Sequence, residues 1–570
     1  MKNNSLLIKF LTILIIVVQL NLSAKSRDPV KAKNGMVVTV SPLATEVGVN
    51  ILKDGGNAVD AAVAVGFALA VTYPYAGNLG GGGFMVIHLN NGKNTSIDFR
   101  EKAPLKAFRE MYLDENGNFL PELSQQGATS AGVPGSVAGL IYALKKYGTL
   151  PLARVIQPAI DLAKHGFILD EWTAESFKNH LNDFKKYPAA FKKFTKNGIP
   201  YEKGDLFVQP DLAWTLEQIR DYGQKGFYDG KVAELLTKQM KEMGGYITKE
   251  DLKKYRPVER KPVTGTYRRY EVVSMPPPSS GGIALIELLN ILENYNIDRD
   301  DWGSSKHIHR LVEAMKYTYA DRTAHLGDED FYPVPKKMLL SKKYAKKIYE
   351  SIADTATPSK KIKEGDPSKF TESTETTHYS IYDKSGNAVS VTTTINSAYG
   401  SKVIVEGAGF LLNNEMDDFS AKPGVPNQFG LLGSEANSIQ PEKRMLSSMS
   451  PTIVLKNGKP FIVVGSPGGS TIITVVLQVI MNVIDFDMNI QEAVDAPRIH
   501  HQWFPDKIFT ERFAVVKDVR ENLEKLGYEF ANLYPTFRII GRAQAILIDQ
   551  KSGVIYGASD PRSPGKAEGY

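Results

Sequence analysis

Beyond its first 25 residues the chain alternates strand-like and helix-like hydrophobic patterns. Met36-Val-Val-Thr-Val40 is a short β-branched run, and Ala58-Val-Asp-Ala-Ala-Val-Ala-Val65 is a continuous apolar stretch of helical length. Asn57 stands just before that stretch with Asp60 three residues on, so a capped helix start is predicted there. Residues 130–250 hold several helical stretches separated by turn signals, and 270–274 reads as a strand leading through Pro276-Pro-Pro-Ser-Ser-Gly-Gly282 into a helix over 283–293. Residues 351–375 are polar, charged and short of large apolar side chains, which predicts an exposed, mobile connector. Hairpins follow. Strands at 376–382 and 388–395 flank Lys384-Ser-Gly-Asn387, strands at 452–455 and 461–464 flank Asn457-Gly458, and a third pair lies at 545–548 and 554–556. With helices at 471–484 and 489–496 to cover them, these strands predict an α+β layered architecture with antiparallel sheets.

Composition narrows the function. The 570 residues are 42% hydrophobic and 23% charged, ample for a packed core, and the net charge of +6 is spread along the chain rather than clustered as in nucleic-acid binders. No nucleic-acid partner is expected. The absence of cysteine removes disulfides, thiolate nucleophiles, Fe–S clusters and cysteine-based zinc sites. His500-His501 has no partner at metal-ligand spacing, so neither metal nor cofactor is expected. Gly80–Gly83 lacks the Lys-Ser/Thr ending of a nucleotide loop. At the start, Lys2 and Lys9 flank an apolar run over 10–18 that leads to Leu22-Ser-Ala24, a signal-peptide pattern over residues 1–24 with cleavage expected near Ala24; an uncleaved anchor is the alternative. The mature protein is then expected in the periplasm or outside the cell. No membrane span is expected in it, because the apolar stretch 472–484 is interrupted by Thr474, Gln478 and Asn482 and reads as a buried helix.

The junction at Glu375 and Thr376 carries the candidate chemistry. A threonine hydroxyl is a poor nucleophile without an adjacent base. If the chain is cut just before a threonine, the freed α-amino group, with an unperturbed pKa of roughly 8, becomes that base. A mobile donor segment followed by a rigid strand suits such a cut, although Thr-Thr at a loop–strand junction is by itself explained by β-propensity. The ordered set around it says more: Asn78-Leu-Gly-Gly-Gly-Gly-Phe84, Asp98-Phe-Arg-Glu101, Thr376-Thr-His-Tyr-Ser380, Thr392-Thr-Thr-Ile-Asn396, Asn413-Asn-Glu-Met-Asp-Asp-Phe419, Leu446-Ser-Ser-Met-Ser-Pro451, Gly465-Ser-Pro-Gly-Gly-Ser470 and Ala558-Ser-Asp-Pro-Arg562. From about residue 29 to the C-terminus this set resembles the γ-glutamyltransferase family of N-terminal-nucleophile hydrolases.

The resemblance implies a four-layer αββα sandwich built jointly by two fragments of a cleaved precursor: a large subunit, 25–375, and a small catalytic subunit, 376–570, held together as a heterodimer. It implies cleavage between Glu375 and Thr376, Thr376 as nucleophile, Thr394 as the hydroxyl that hydrogen-bonds it, and the N–H groups of Gly468 and Gly469 as the oxyanion hole. Arg100, Ser447 and Ser448 would receive the α-carboxylate of a γ-glutamyl head, and Asn396, Glu415 and Asp418 its α-ammonium. The implied substrates are glutathione and related γ-glutamyl compounds, with water or an amino acid or dipeptide as acceptor. Residues 420–430 resemble a loop that covers the pocket in many members. Phe429 stands there where several bacterial relatives place a tyrosine, so a looser gate is expected. Two alternatives stand beside this: a same-fold β-lactam acylase or poly-γ-glutamate depolymerase, against which the loop and the glutamate-binding set argue, and a non-enzymatic secreted protein, against which Thr376, Thr394 and Gly468-Gly469 argue.

Overall fold

A computed structural model describes residues 26–362, 376–531 and 539–570. The expected signal peptide, Glu375 and most of the connector lie outside the described residues. Two seven-stranded antiparallel sheets form the centre. In spatial order the first holds Val30–Ala32, Ile555–Ser559, Gln544–Ile548, Lys459–Gly465, Thr452–Lys456, Tyr270–Ser274 and Val263–Tyr267. The second holds Lys566–Gly569, Met36–Thr39, Thr377–Tyr382, Ala388–Thr394, Gly82–His88, Asn94–Asp98 and Val258–Arg260.

Strand periodicity divides the side chains among three cores, because successive residues face opposite sides of a sheet. Val38, Val86, Ile453, Val463 and Ile546 meet between the sheets. Their neighbours Val454, Ile462 and Val464 face the other way, onto helices Gly281–Leu292, Ser305–His325 and Ile472–Ile484. On the far side Val37, Met85, Ile87 and Val391 pack against Ala58–Thr72, Ser136–Tyr147 and Leu152–His165. The order helix, sheet, sheet, helix is the expected αββα sandwich. Both sheets mix strands from before and after residue 375: Thr377–Tyr382 pairs with Met36–Thr39, and Ala388–Thr394 pairs with Gly82–His88.

Local signals hold where they were read. Asn57 accepts from the N–H groups of Val59 and Asp60 while Asp60 reaches back to the Asn57 N–H, a complete capping box. Asn457 and Gly458 take φ of 53° and 73°, as a two-residue hairpin turn of the I′ kind requires. Residues 351–362 depart from the expected mobile connector. Ser359 is fully buried, its N–H donates to Asp506 at 2.7 Å, and Trp503 Nε1 donates to its carbonyl at 2.9 Å. Lys316 Nζ donates to the Thr357 carbonyl at 2.9 Å. Composition could not show this, because a few backbone bonds and three small contacts, Ile352, Ala356 and Ile362 against the helix-side core, are enough to hold the segment.

Candidate active site

Antiparallel register creates the site. Thr377 pairs with Thr393, so one further step places Thr376 opposite Thr394 at the end of the ladder. Both threonines are buried and line one cavity. Asn396 donates its backbone N–H to Thr394 Oγ1 at 2.8 Å, and that bond leaves the Thr394 hydroxyl proton to be donated elsewhere. Asn396 itself sits at φ 73°, in the left-handed region that asparagine tolerates better than most residues. Below the strand, His378 bonds Thr392 Oγ1 at 2.9 Å and Ser380 Oγ at 3.0 Å. Burial lowers its pKa to about 3, so this imidazole is a neutral spacer and no general base.

The Gly468-Gly469 turn feeds the same cavity, with Gly469 in its wall. Gly468 takes φ 138° and Gly469 φ 53°, and a short 3₁₀ turn, Gly469–Thr471, leads into helix Ile472–Ile484. The Thr471 N–H and Oγ1 both donate to the Gly468 carbonyl, at 2.9 and 2.8 Å. Among the described residues the N–H groups of Gly468 and Gly469 donate to no acceptor. Two unpaired N–H groups at a helix start, beside a buried hydroxyl, are what an oxyanion needs.

Charged side chains line the rest of the wall. Arg100 is wholly buried and spends its guanidinium on acids: Nη1 pairs with Glu415, and Nη2 meets Asp418 Oδ2 at 2.5 Å. Glu101 lies 3.8 Å from Nη1, and neither of its oxygens has a hydrogen-bond partner among the described residues. Burial pushes its carboxyl up to about 8 against the pull of Arg100, and raises those of Glu415 and Asp418 as well. Even with Glu101 protonated, Glu415 and Asp418 set two carboxylates against one guanidinium, so this part of the cavity favours an added cation. Ser448 Oγ accepts from Arg322 Nη2 at 3.2 Å, and Ser447 is fixed through its backbone, its N–H donating to the Pro278 carbonyl at 3.0 Å.

The expected covering loop is present. Gln428 N–H donates to Asp417 Oδ2 at 3.0 Å, Ser397 Oγ donates to Gln428 Oε1 at 2.7 Å, and Gln502 Nε2 donates to the Phe429 carbonyl at 3.2 Å. The Phe429 side chain is buried in the cavity wall with Leu431 and Leu446, so apolar packing holds the loop where a tyrosine would use its hydroxyl.

With this geometry in place, the comparisons are specific. The gamma-glutamyltranspeptidase family model matches residues 44–570. The chain belongs to the gamma-glutamyltranspeptidase family. The glutathione hydrolase proenzyme of Escherichia coli strain K12 is 51% identical to it, over 94% of this chain and 91% of that protein. A crystal structure of Helicobacter pylori gamma-glutamyltranspeptidase is 52% identical with a TM-score of 0.56, covering 60% of this chain and 97% of that one. Cephalosporin acylase from Bacillus halodurans superposes more widely, with a TM-score of 0.86 at 30% identity over 96% and 98% of the two chains.

Nine of the ten residues expected in the pocket line one cavity: Arg100, Thr376, Thr394, Asn396, Glu415, Asp418, Ser447, Ser448 and Gly469. Gly468 adjoins it through Gly469. Arg100 reaches both groups: it pairs with Glu415 and Asp418, the acids assigned to the ammonium, and its Nε and Nη2 donate to the Met445 and Leu446 carbonyls that lead into Ser447, at 3.3 and 3.4 Å. Sequence reasoning did not single out Arg322, Glu101 or Ser280. Glu101 was within reach, as a second charge in the Asp98-Phe-Arg-Glu101 motif. Arg322 had no local signal; it is one of several charged residues on Ser305–His325, and that it is buried there is a tertiary fact. His500 and His501 are buried; His500 bonds Thr474 and Gln502, and His501 Nδ1 accepts from the Trp503 N–H at 3.1 Å with Asp506 3.3 Å from its Nε2.

Proposed function

We propose that the chain is an exported proenzyme that cuts itself between Glu375 and Thr376 and then works through the new N-terminal threonine. In the cut, Thr376 Oγ attacks the Glu375 carbonyl, the acyl group moves from nitrogen to oxygen, and water hydrolyses the ester. The fragments 25–375 and 376–570 stay together because each contributes strands to both sheets. The mature enzyme is a γ-glutamyltransferase and glutathione hydrolase.

In turnover the α-amino group of Thr376 takes the hydroxyl proton, and Oγ attacks the γ-carbonyl carbon of the donor. Gly468 and Gly469 N–H groups hold the oxyanion, and Thr394 holds Oγ in line. The C–N bond breaks, the leaving amine takes the proton, and a γ-glutamyl ester remains on Thr376. Water or an acceptor amine then attacks that ester through the same hole. The α-ammonium of the donor enters among Asn396, Glu415 and Asp418, and its α-carboxylate among Arg100, Ser447 and Ser448. A zwitterion thus exchanges ion pairs with the wall: its ammonium takes over carboxylates that Arg100 holds in the empty site.

The observation that carries this reading is the placing of two buried threonines, an unpaired N–H pair and a charged wall around a single cavity. The test is product analysis with glutathione as donor, with and without glycylglycine. Free glutamate alone, joined by γ-glutamyl-glycylglycine when acceptor is present, supports it. Equal or faster release from an acyl group without the α-amino and α-carboxyl groups contradicts it.

A further inference from the structure

The cavity receives the glutamyl half of a donor, and the amine half has to lie elsewhere. The carbonyl carbon under attack carries Thr376 Oγ, the oxyanion and the glutamyl chain, so its fourth bond, to the amine, points away from that chain. Gly468 is the residue of the oxyanion turn just beyond the cavity wall, and Gly541 packs against it: a Cβ on Gly468 would lie 3.4 Å from Gly541 Cα. The next residue, Arg542, donates its backbone N–H to Ser466 Oγ at 3.0 Å. Its half-buried side chain crosses to residues from before the cut, with the guanidinium carbon 5.9 Å from the ring centroids of both Tyr75 and Trp172. Those rings are fixed in turn. Trp172 stacks on Tyr73 at 5.3 Å, and Tyr75 meets Trp172 and Tyr399 edge to face at 5.0 and 5.5 Å. Three residues past Tyr75, Asn78 Nδ2 donates to the Thr394 carbonyl at 2.9 Å, which ties the ring platform to the strand that carries Thr394. Arg542, Tyr75 and Trp172 all lie outside the wall of the glutamyl cavity. The guanidinium thus spans from the oxyanion turn to the loop that holds Thr394.

We propose that Arg542, set on the rings of Tyr75 and Trp172, binds the C-terminal carboxylate of the amine half: the dipeptide that leaves glutathione, and the amino acid or dipeptide that takes its place. The inference rests on the γ-glutamyl reading of the cavity and adds the subsite for the other half of the substrate. A guanidinium keeps its charge at any working pH, and its planar fork matches a carboxylate. Aromatic rings hold such a group by its face, and a carboxylate is taken by its N–H edge, so the rings set the direction of the fork. Arg542 belongs to the fragment after residue 375 and the two rings to the fragment before it, so the subsite exists only in the assembled pair. Water carries no carboxylate and gains nothing there, whereas an amino acid or dipeptide acceptor does.

The test compares glutathione with its glycinamide, whose leaving dipeptide ends in an uncharged amide. Glutamate release is followed for wild type, Arg542→Gln and Arg542→Lys, each corrected for its cleaved fraction on a denaturing gel. Wild type should prefer the acid in kcat/KM. Loss of a charge-assisted contact predicts that Arg542→Gln lowers the ratio of acid to amide at least about tenfold, and Arg542→Lys, which keeps the charge without the fork, should recover part of it. A wild type that does not distinguish acid from amide would overturn the proposal and leave the γ-glutamyl reading standing. So would an unchanged ratio in Arg542→Gln, even with both rates reduced, because Arg542 would then only prop the oxyanion turn. If Arg542→Gln is not cleaved, Arg542→Lys decides alone: a ratio lowered at least about threefold supports the proposal, and an unchanged ratio overturns it. Failure of wild type to release glutamate from either donor would instead sink the γ-glutamyl reading itself.

Discussion

Replacing Gly468 with alanine tests the oxyanion turn by backbone alone. Gly468 has φ 138° and ψ 21°, where side chains are rarely accommodated, at a cost of about 1–3 kcal/mol. A Cβ there would lie 2.4 Å from Thr471 Oγ1. Turning that hydroxyl away breaks its bond to the Gly468 carbonyl and leaves the backbone strain at φ 138° in place. Relief must come by rotating the 468–469 peptide, which turns the N–H groups from the cavity. Losing one oxyanion donor costs about 2.7–4 kcal/mol, or 100- to 1000-fold in kcat. Formation and breakdown of the acyl-enzyme pass through tetrahedral intermediates in the same hole. Both steps should slow together and leave KM for the γ-glutamyl head nearly unchanged. The assay is steady-state p-nitroaniline release per cleaved enzyme, with the first turnover followed by stopped flow. A kcat within threefold of wild type, in an enzyme with normal cleavage, would refute the assignment.

Other outcomes follow from the same geometry. Arg100→Lys keeps the charge but cannot bridge Glu415 and Asp418, so KM for γ-glutamyl donors should rise at least about tenfold while self-cleavage persists; unchanged KM would remove Arg100 from the pocket. Glu101 titrates at about 8 against an ordinary 4.5, so the native empty enzyme holds a proton that the unfolded chain has released. Its contribution to stability is full below pH 4.5 and is lost as pH rises through about 8, and Glu101→Gln should flatten the fall of Tm over that window; an unchanged slope would contradict the buried neutral carboxyl. Phe429→Ala should raise free glutamate relative to γ-glutamyl-glycylglycine, and Phe429→Tyr should lower it, by up to about tenfold for one neutral hydrogen bond. Equal product ratios in all three proteins would show that the loop does not govern partitioning.

How far the sequence could be read depended on whether a feature was local. The capping box at Asn57 and the Asn457-Gly458 turn are local chemistry, and both stand where residue types place them. The hairpin at 377–394 was also legible, and its register alone brings Thr376 to Thr394. The edge strands Val30–Ala32 and Lys566–Gly569 were not, because each is short and exists through a distant partner. The same holds for residues 351–362, which composition marks as free and Asp506, Trp503 and Lys316 tie down. In the pocket, residue types gave the charges but not their pairing. That Arg100 joins the acids to the serine loop while Arg322 bonds Ser280 and Ser448 depends on where Gly281–Leu292, Ser305–His325 and the 413–418 turn meet.

The central claim is that Thr376 makes itself the N-terminus and then serves as nucleophile. The most direct measurement is a denaturing gel with N-terminal sequencing of the smaller band, for wild type and Thr376→Ala. The account predicts two fragments in wild type, the smaller starting Thr-Thr-His-Tyr, and one intact inactive chain in the variant. A smaller fragment with another start, or cleavage of the same bond in Thr376→Ala, would contradict it.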